Sequence, residues 1–169
     1  MNHRSRAWVR RRLRSLALLE LFNIPFQAWV WFGKVGFPVT AANAVGFGLF
    51  SLLLVQGAGY WLAKLRTVGA PGTPLPGVRF FAAARVLNVP VLLAGVLFAA
   101  WAVAGDPGSA TIPGLAFALF AVLEHVNYFH TQLMYDNRED LRYLRRHGLR
   151  RAHLARDLAL AGARGAGSV

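Results

Sequence analysis

The sequence predicts an all-α integral membrane protein, with four transmembrane helices in a bundle and both termini in the cytoplasm. Of its 169 residues, 56% are hydrophobic and 15% are charged, whereas about 25% of an ordinary soluble domain is charged. The apolar residues form blocks of the length that a helix needs to cross a hydrocarbon core of about 30 Å. The charged residues, 19 Lys and Arg against 7 Asp and Glu, are concentrated between those blocks.

The same composition excludes several other classes of protein. The hydrophobic content excludes an intrinsically disordered chain, and the unbroken apolar runs lack the alternation that is typical of half-buried strands. The chain contains no cysteine. It therefore has no thiolate metal site, no thiol nucleophile and no disulfide.

Four stretches are long and apolar enough to be spans, and segments rich in Gly and Pro separate them. The first is the weakest, because it carries Glu20, Asn23 and Gln27, whereas the second and third contain no charged residue. The predicted ranges are 1–15 for a basic cytoplasmic N-terminus, 16–133 for the membrane domain, with spans at about 16–32, 43–62, 86–103 and 112–133, and 134–169 for a basic cytoplasmic tail.

The distribution of basic residues predicts on which side each end lies. With four spans both termini share one side, which then holds every Lys and Arg except Lys34. Because Lys and Arg are enriched in cytoplasmic loops, this side is predicted to be cytoplasmic. Glu20 and two tryptophans lie in the first apolar stretch, and no small-residue cleavage site follows it. We therefore expect a first span rather than a cleaved signal peptide.

Short motifs occur twice along the chain. An Asn-x-Pro motif at Asn23 in the first span recurs at Asn88 in the third, and the motif from Gln56 to Leu65 resembles the one from Glu124 to Leu133. Two interpretations remain open. The motifs indicate two tandem helical hairpins related by an axis along the membrane normal, or they reflect chance similarity between apolar segments.

Polar side chains form stripes on several of the predicted spans. In the fourth span Glu124, Asn127 and Tyr128 fall on one helical face, and lipid cannot solvate such groups. We expect the stripes to face inward and meet in the cytoplasmic half, while the outer half is expected to pack through apolar contacts alone. The predicted polar intramembrane cluster comprises Glu20, Asn23, Gln27, Gln56, Asn88, Glu124, His125, Asn127, Tyr128, His130 and Thr131.

The sequence allows this cluster to be a static hydrogen-bonded girdle or a functional site centred on Glu124. The candidate partners of Glu124 are His125, His130 and Arg85. His125 and His130 are five residues apart, so their rings diverge by about 140° around a helix and do not form a chelating pair. We expect no metal and no cofactor, and no catalytic residue is identified.

The tail from Tyr135 is predicted to continue the fourth helix and then to form a basic amphipathic helix on the membrane surface. Its last residues, from Gly162 onwards, are small and predicted to be disordered. The expected partner is a bilayer with anionic headgroups, and a membrane-protein partner or a second copy remains open, whereas no nucleic acid is expected. The predicted headgroup contacts are Arg10, Arg11, Arg12, Arg142, Arg145, Arg146, Arg150 and Arg151.

Two functional hypotheses follow from these patterns. The first is a non-catalytic accessory or assembly partner whose polar girdle holds the helices together. The alternative is a proton-coupled transporter of a small solute, or an intramembrane enzyme acting on a lipid, with a polar cavity around Glu124.

Overall fold

The computed structural model describes residues 3–70, 72–134, 142, 144–146 and 148–166. In this part of the chain the only regular secondary structure is helical, and four helices are long and apolar enough to cross a membrane, which confirms the all-helical, multi-pass prediction. The predicted start of the tail, at 135–141, lies outside the described residues. The helices are α1 (His3–Ala28, continued by a π-helix, Trp29–Lys34), α2 (Ala41–Thr67), α3 (Val78–Gly105), α4 (Ile112–Phe129) and α5 (His153–Ala166).

The helices extend beyond the apolar blocks at most of their ends. α1 already begins at His3, so the basic residues of the predicted N-terminal segment form the first turns of this helix. α1 and α3 also continue through their internal prolines, Pro25 and Pro90. α5 continues to Ala166, through part of the segment that was expected to be disordered.

α4 is shorter than expected, because it ends at Phe129 rather than at Leu133. The side-chain oxygen of Asn127 accepts hydrogen bonds from the backbone N–H groups of Leu133 and Met134, at 2.8 and 3.3 Å. Thr131 forms an antiparallel bridge with Arg151. These bonds take the place of helical ones, so the chain turns back towards α5 directly after α4.

α2 lies at the centre of the contacts between the helices. It packs against α1, α3 and α4, and α4 in turn packs against α3 and α5. The backbones of α2 and α4 meet at Gly46 and Gly114, where a methyl group on Gly46 would overlap the Gly114 carbonyl. α1 and α3 expose large apolar side chains on their outer faces, such as Leu18 at 66% and Trp101 at 74%. Lipid chains can cover such apolar faces, whereas water would hydrate them unfavourably.

A polar cluster also lies at the end of the helices remote from α5, where apolar packing alone was predicted. Asn43 is fully buried there. Its amide donates to the carbonyls of Pro38 and Ser109, at 2.9 and 3.0 Å, and its oxygen accepts from the Gly114 N–H at 2.8 Å. Asn43 thus joins the α1–α2 loop, the α3–α4 loop and the start of α4, and this part of the prediction was wrong.

Candidate functional site

The structure divides the predicted polar cluster into separate groups. Gln56 of α2 and Asn88 of α3 form a reciprocal pair of amide hydrogen bonds, at 2.7 and 3.1 Å, and both side chains are buried. The Asn88 amide nitrogen also lies 3.5 Å from Nδ1 of His125 on α4. This group joins three helices through buried side chains.

His125 has one ring nitrogen that this group leaves without a partner. Nδ1 is the ring nitrogen that faces the Asn88 amide. Nε2 is buried and has no hydrogen-bond partner among the described residues. The ring packs against Phe129 and against the exposed His130, with centroids 4.9 and 5.4 Å apart.

The second group joins α1 to α4. The Tyr128 hydroxyl donates to the Glu20 carboxylate at 2.6 Å. One turn away Asn127 donates to Glu124 at 3.4 Å. The Trp61 N–H of α2 lies close enough to interact with Glu20, although it completes no hydrogen bond of normal geometry. The candidate partners of Glu124 were His125, His130 and Arg85, whereas its hydrogen bond here comes from Asn127 of the same helix. The carboxylate that joins two helices is Glu20.

The remaining predicted residues do not join either group. Gln27 accepts a hydrogen bond from the Trp31 indole N–H, 2.7 Å away and one turn further along the same chain. The Asn23 side chain is half-buried and makes no hydrogen bond among the described residues. His130 and Thr131 lie beyond the end of α4. No single site collects all the polar residues.

A cavity of about 410 Å³ lies beside the Glu20–Tyr128 bond. We call it the headgroup cavity. One face of α1, from Trp8 through Arg12 to Glu20, lines it over about 18 Å at the helical rise of 1.5 Å per residue. The opposite walls come from the ends of α2 and α4, and the start of α5 covers one side. Asn127 and Tyr128 lie at the same end as Glu20.

The other end of the headgroup cavity is basic. Arg12, Lys64, Arg150 and His153 all contribute to its lining. Arg150 donates to the side-chain oxygen of Gln132 at 2.7 Å, and the Arg12 guanidinium lies 5.5 Å from the centre of the Trp8 ring. Guanidinium and ammonium groups such as these can donate charge-assisted hydrogen bonds to an anion.

The His153 ring is neutral in this environment. The residue is exposed, but its ring packs against Trp61 with centroids 6.2 Å apart. Burial of the ring and the nearby cations Arg156, Arg150 and Lys64 together lower the pKa of His153 to about 4. Nδ1 of His153 accordingly accepts a hydrogen bond from Arg156 at 2.9 Å.

A further polar cluster joins α5 to α2 beside the headgroup cavity. It was not predicted from the sequence. Asp157 of α5 accepts from Lys64 at 2.7 and 2.8 Å and from the Tyr60 hydroxyl at 2.9 Å. Leu154 and Ala155 of α5 are buried. The sequence does contain one indication of this cluster. Tyr60 and Lys64 are one helical turn apart, and Asp157 is the one acidic residue in α5.

A second cavity, also of about 410 Å³, lies further along α1 and α4. We call it the aromatic cavity. Its walls carry rings at contact distance, with Trp31 stacked on Phe37 at 5.5 Å and Phe50 at 5.5 Å from Phe117. Gln27 supplies a polar side chain, already bonded to Trp31. α1 and α4 thus face each other across two cavities, with the Glu20–Tyr128 bond between them.

The predicted headgroup contacts occupy different environments. Arg12 and Arg150 line the headgroup cavity. Arg10 donates to the Val68 carbonyl at 3.1 Å, which links α1 to the end of α2. The others are exposed at the surface: Arg11, Arg142, Arg145, Arg146 and Arg151.

Within the described residues, no group of three or more His, Asp or Glu side chains is placed to hold a metal ion. No family model, no curated protein sequence and no solved structure matches this chain.

Proposed function

We propose that this chain is a non-catalytic accessory protein of the membrane that binds an anionic amphiphile in the headgroup cavity. The observation that carries the proposal is the change in polarity along this cavity. Arg12, Lys64 and Arg150 line one end, and apolar walls and the Glu20–Tyr128 bond form the other. Ligand pockets combine such apolar walls with a few convergent polar groups. A phosphate or carboxylate at the basic end is the group that fits these cations.

The proposal includes the arrangement of the helices in the membrane. The four spans form a bundle with both termini in the cytoplasm, because the basic residues lie at the end where α5 packs. The basic end of the headgroup cavity then lies at the level of the cytoplasmic headgroups. The exposed arginines beside it would contact anionic lipids, each contributing about 1 kcal/mol near the surface.

A binding measurement tests this function. The purified chain in phosphatidylcholine nanodiscs is titrated with hexadecyl phosphate, and with hexadecyltrimethylammonium as the probe of opposite charge. We expect the phosphate to bind and the ammonium not to bind. Arg12→Gln should weaken phosphate binding about tenfold, since a hydrogen bond to a charged group contributes about 1.5–3 kcal/mol.

The matched control is Arg14→Gln, which removes the same charge from the opposite, exposed side of α1. It should leave the affinity for hexadecyl phosphate unchanged. Equal affinity for the two probes, or equal effects of the two substitutions, would show that surface charge alone attracts the ligand and would exclude the proposed site.

A second candidate function rests on the two carboxylates beside Tyr128. Its hydroxyl is bonded to Glu20 and also lies close to Glu124, so a proton could pass between them as in proton-coupled transport or lipid chemistry. This candidate predicts proton uptake into liposomes that Glu20→Gln and Glu124→Gln each abolish. The accessory function predicts no proton uptake by the unmodified chain.

A further inference from the structure

We infer that one alkyl chain of a membrane lipid occupies the aromatic cavity while its anionic headgroup lies in the headgroup cavity. This inference rests on the proposed function, and it specifies the ligand as a lipid that enters sideways from the bilayer. The observation behind it is the placement of both cavities along one interface between α1 and α4.

The two cavities share the same helical faces. On α1, Leu16 and Glu20 line the first, and Gln27 and Trp31 line the second. These positions are spaced by four, seven and four residues, which places them on one side of the helix. From Arg12, at the basic end, to Gln27, where the aromatic cavity begins, the distance along the axis is about 23 Å. A fully extended hexadecyl phosphate is of about this length, so its terminal carbon reaches the near end of the aromatic cavity.

α4 shows the same continuity. Phe117 and Phe120 line the aromatic cavity, and Asn127 and Tyr128 line the headgroup cavity. α1 packs along α2. It meets α4 through the Glu20–Tyr128 bond, and its π-helical continuation meets α4 through the edge-to-face contact of Trp31 with Phe117, with centroids 6.3 Å apart. The two cavities lie along this α1–α4 interface, with the Glu20–Tyr128 bond between them.

The walls of the aromatic cavity suit methylene groups rather than a polar solute. The rings of Phe50, Phe117 and Phe120 pack against one another, with centroids 5.5 to 5.7 Å apart. The oxygen of Gln27 is already bonded to the Trp31 N–H. A solute rich in hydroxyl or charged groups would lose its hydration here without gaining partners.

The aromatic cavity also opens towards the surrounding lipid. Ile112 and Phe120 line it and are 50% and 44% exposed. Exposed residues of α1 next to it, Phe26 and Trp29, are likewise large and apolar. The surface around the opening is therefore one that lipid chains cover, so a chain reaches the cavity without crossing water.

Photo-crosslinking tests this inference. The chain in phosphatidylcholine nanodiscs is labelled with hexadecyl phosphate that carries a diazirine at its terminal carbon, and the crosslinked peptides are sequenced. We expect crosslinks within 27–37 and 113–120, which an excess of unlabelled hexadecyl phosphate displaces. Ala116→Phe should abolish them, because Ala116 lines the aromatic cavity and a phenyl ring would fill it.

The matched control is Ala94→Phe on the exposed face of α3, which should leave these crosslinks unchanged. Crosslinks spread over the outer faces of α1 and α3, not displaced by unlabelled phosphate, would overturn the inference. If hexadecyl phosphate still binds through Arg12 in that case, the headgroup site stands and only the place of the alkyl chain is wrong. If Arg12→Gln has no effect on binding, the proposed function itself fails.

Discussion

Asn43 shows how much a single buried side chain connects in this protein. Its amide bonds two loops and the first turn of α4, at a place where water cannot replace a lost partner. The sequence placed Asn43 at the start of a span but gave no partner for it. Two of its three partners, the Ser109 carbonyl and the Gly114 N–H, lie 66 and 71 positions away along the chain, and no spacing rule along one helix reveals such contacts.

We predict that Asn43→Ala lowers the free energy of unfolding by about 1–3 kcal/mol, because it leaves the buried Gly114 N–H without an acceptor. Unfolding of the purified protein in mixed micelles measures the effect. Asn23→Ala is the control, since Asn23 makes no hydrogen bond among the described residues, and it should change stability little. A similar loss in both variants would show that Asn43 contributes only packing.

The polar cluster was partly predictable at the scale of residues. The rule that polar groups in lipid face inward correctly brought Gln56, Asn88 and His125 together. It did not distinguish Glu20 from Glu124 as the partner of Tyr128, because that choice depends on the height and rotation of α1 against α4. Periodicity fixes the face of a helix but not its offset from a neighbour.

At the scale of elements, the backbones of α2 and α4 come into contact at Gly46 and Gly114. A Cβ on Gly46 would overlap the Gly114 oxygen, so a methyl group there forces the two helices apart. We predict that Gly46→Ala lowers the free energy of unfolding by about 1–3 kcal/mol through overpacking. The same unfolding assay serves, with Gly48→Ala as control, since nothing lies within 4 Å of its added Cβ. An unchanged stability in Gly46→Ala would mean that this crossing is not as close as described.

α5 illustrates an element whose existence was predictable but whose position was not. Alternating leucines and arginines predicted a basic amphipathic helix. Its docking depends on Asp157 meeting Lys64 and Tyr60, and on the hydrogen bonds of residues 130–134 with 150–152. These contacts require α4 to end early, which the capture of backbone N–H groups by Asn127 brings about.

The docking of α5 should weaken in acid. The pKa of His153 is about 4 in the folded protein against 6.5 ordinarily, so between these values the unfolded segment binds a proton that the docked one does not. Stability conferred by the neutral ring is therefore present above about pH 6.5 and lost as the pH falls towards 4. Hydrogen exchange of the α5 backbone, corrected for intrinsic rates, should rise from about pH 7 to about pH 5.

The control for this experiment is His153→Gln, which cannot titrate in that range. Its α5 exchange should depend much less on pH. Lys64, Arg150, Arg156 and Asp157 surround the ring, and an equal acid response in the variant would show that protonation of His153 is not its cause.

At the scale of the whole molecule, composition and block length were enough to predict four apolar helices. Composition and block length predict spans because lipid imposes a minimum length and an apolar surface on every one of them. The same signals do not specify which helices touch. α1 packs along α2, and composition does not specify this choice between several equally apolar faces.

The predicted orientation can be tested on the intact chain, which has no cysteine to label. We predict that a membrane-impermeant maleimide labels Val39→Cys in intact cells, because this exposed residue lies in the α1–α2 loop. Ser5→Cys and Leu149→Cys should react only after permeabilisation, since the basic side is cytoplasmic. Labelling of Ser5→Cys and Leu149→Cys on opposite sides would exclude four spans.

The position of α5 in the chain has a consequence for biosynthesis. The four apolar helices leave the ribosome first, while the wall that Asp157 fastens to Lys64 is translated after them. Until then, only α1, α2 and α4 can form walls of the headgroup cavity. Its last wall is added only when translation has passed Leu154 and Asp157.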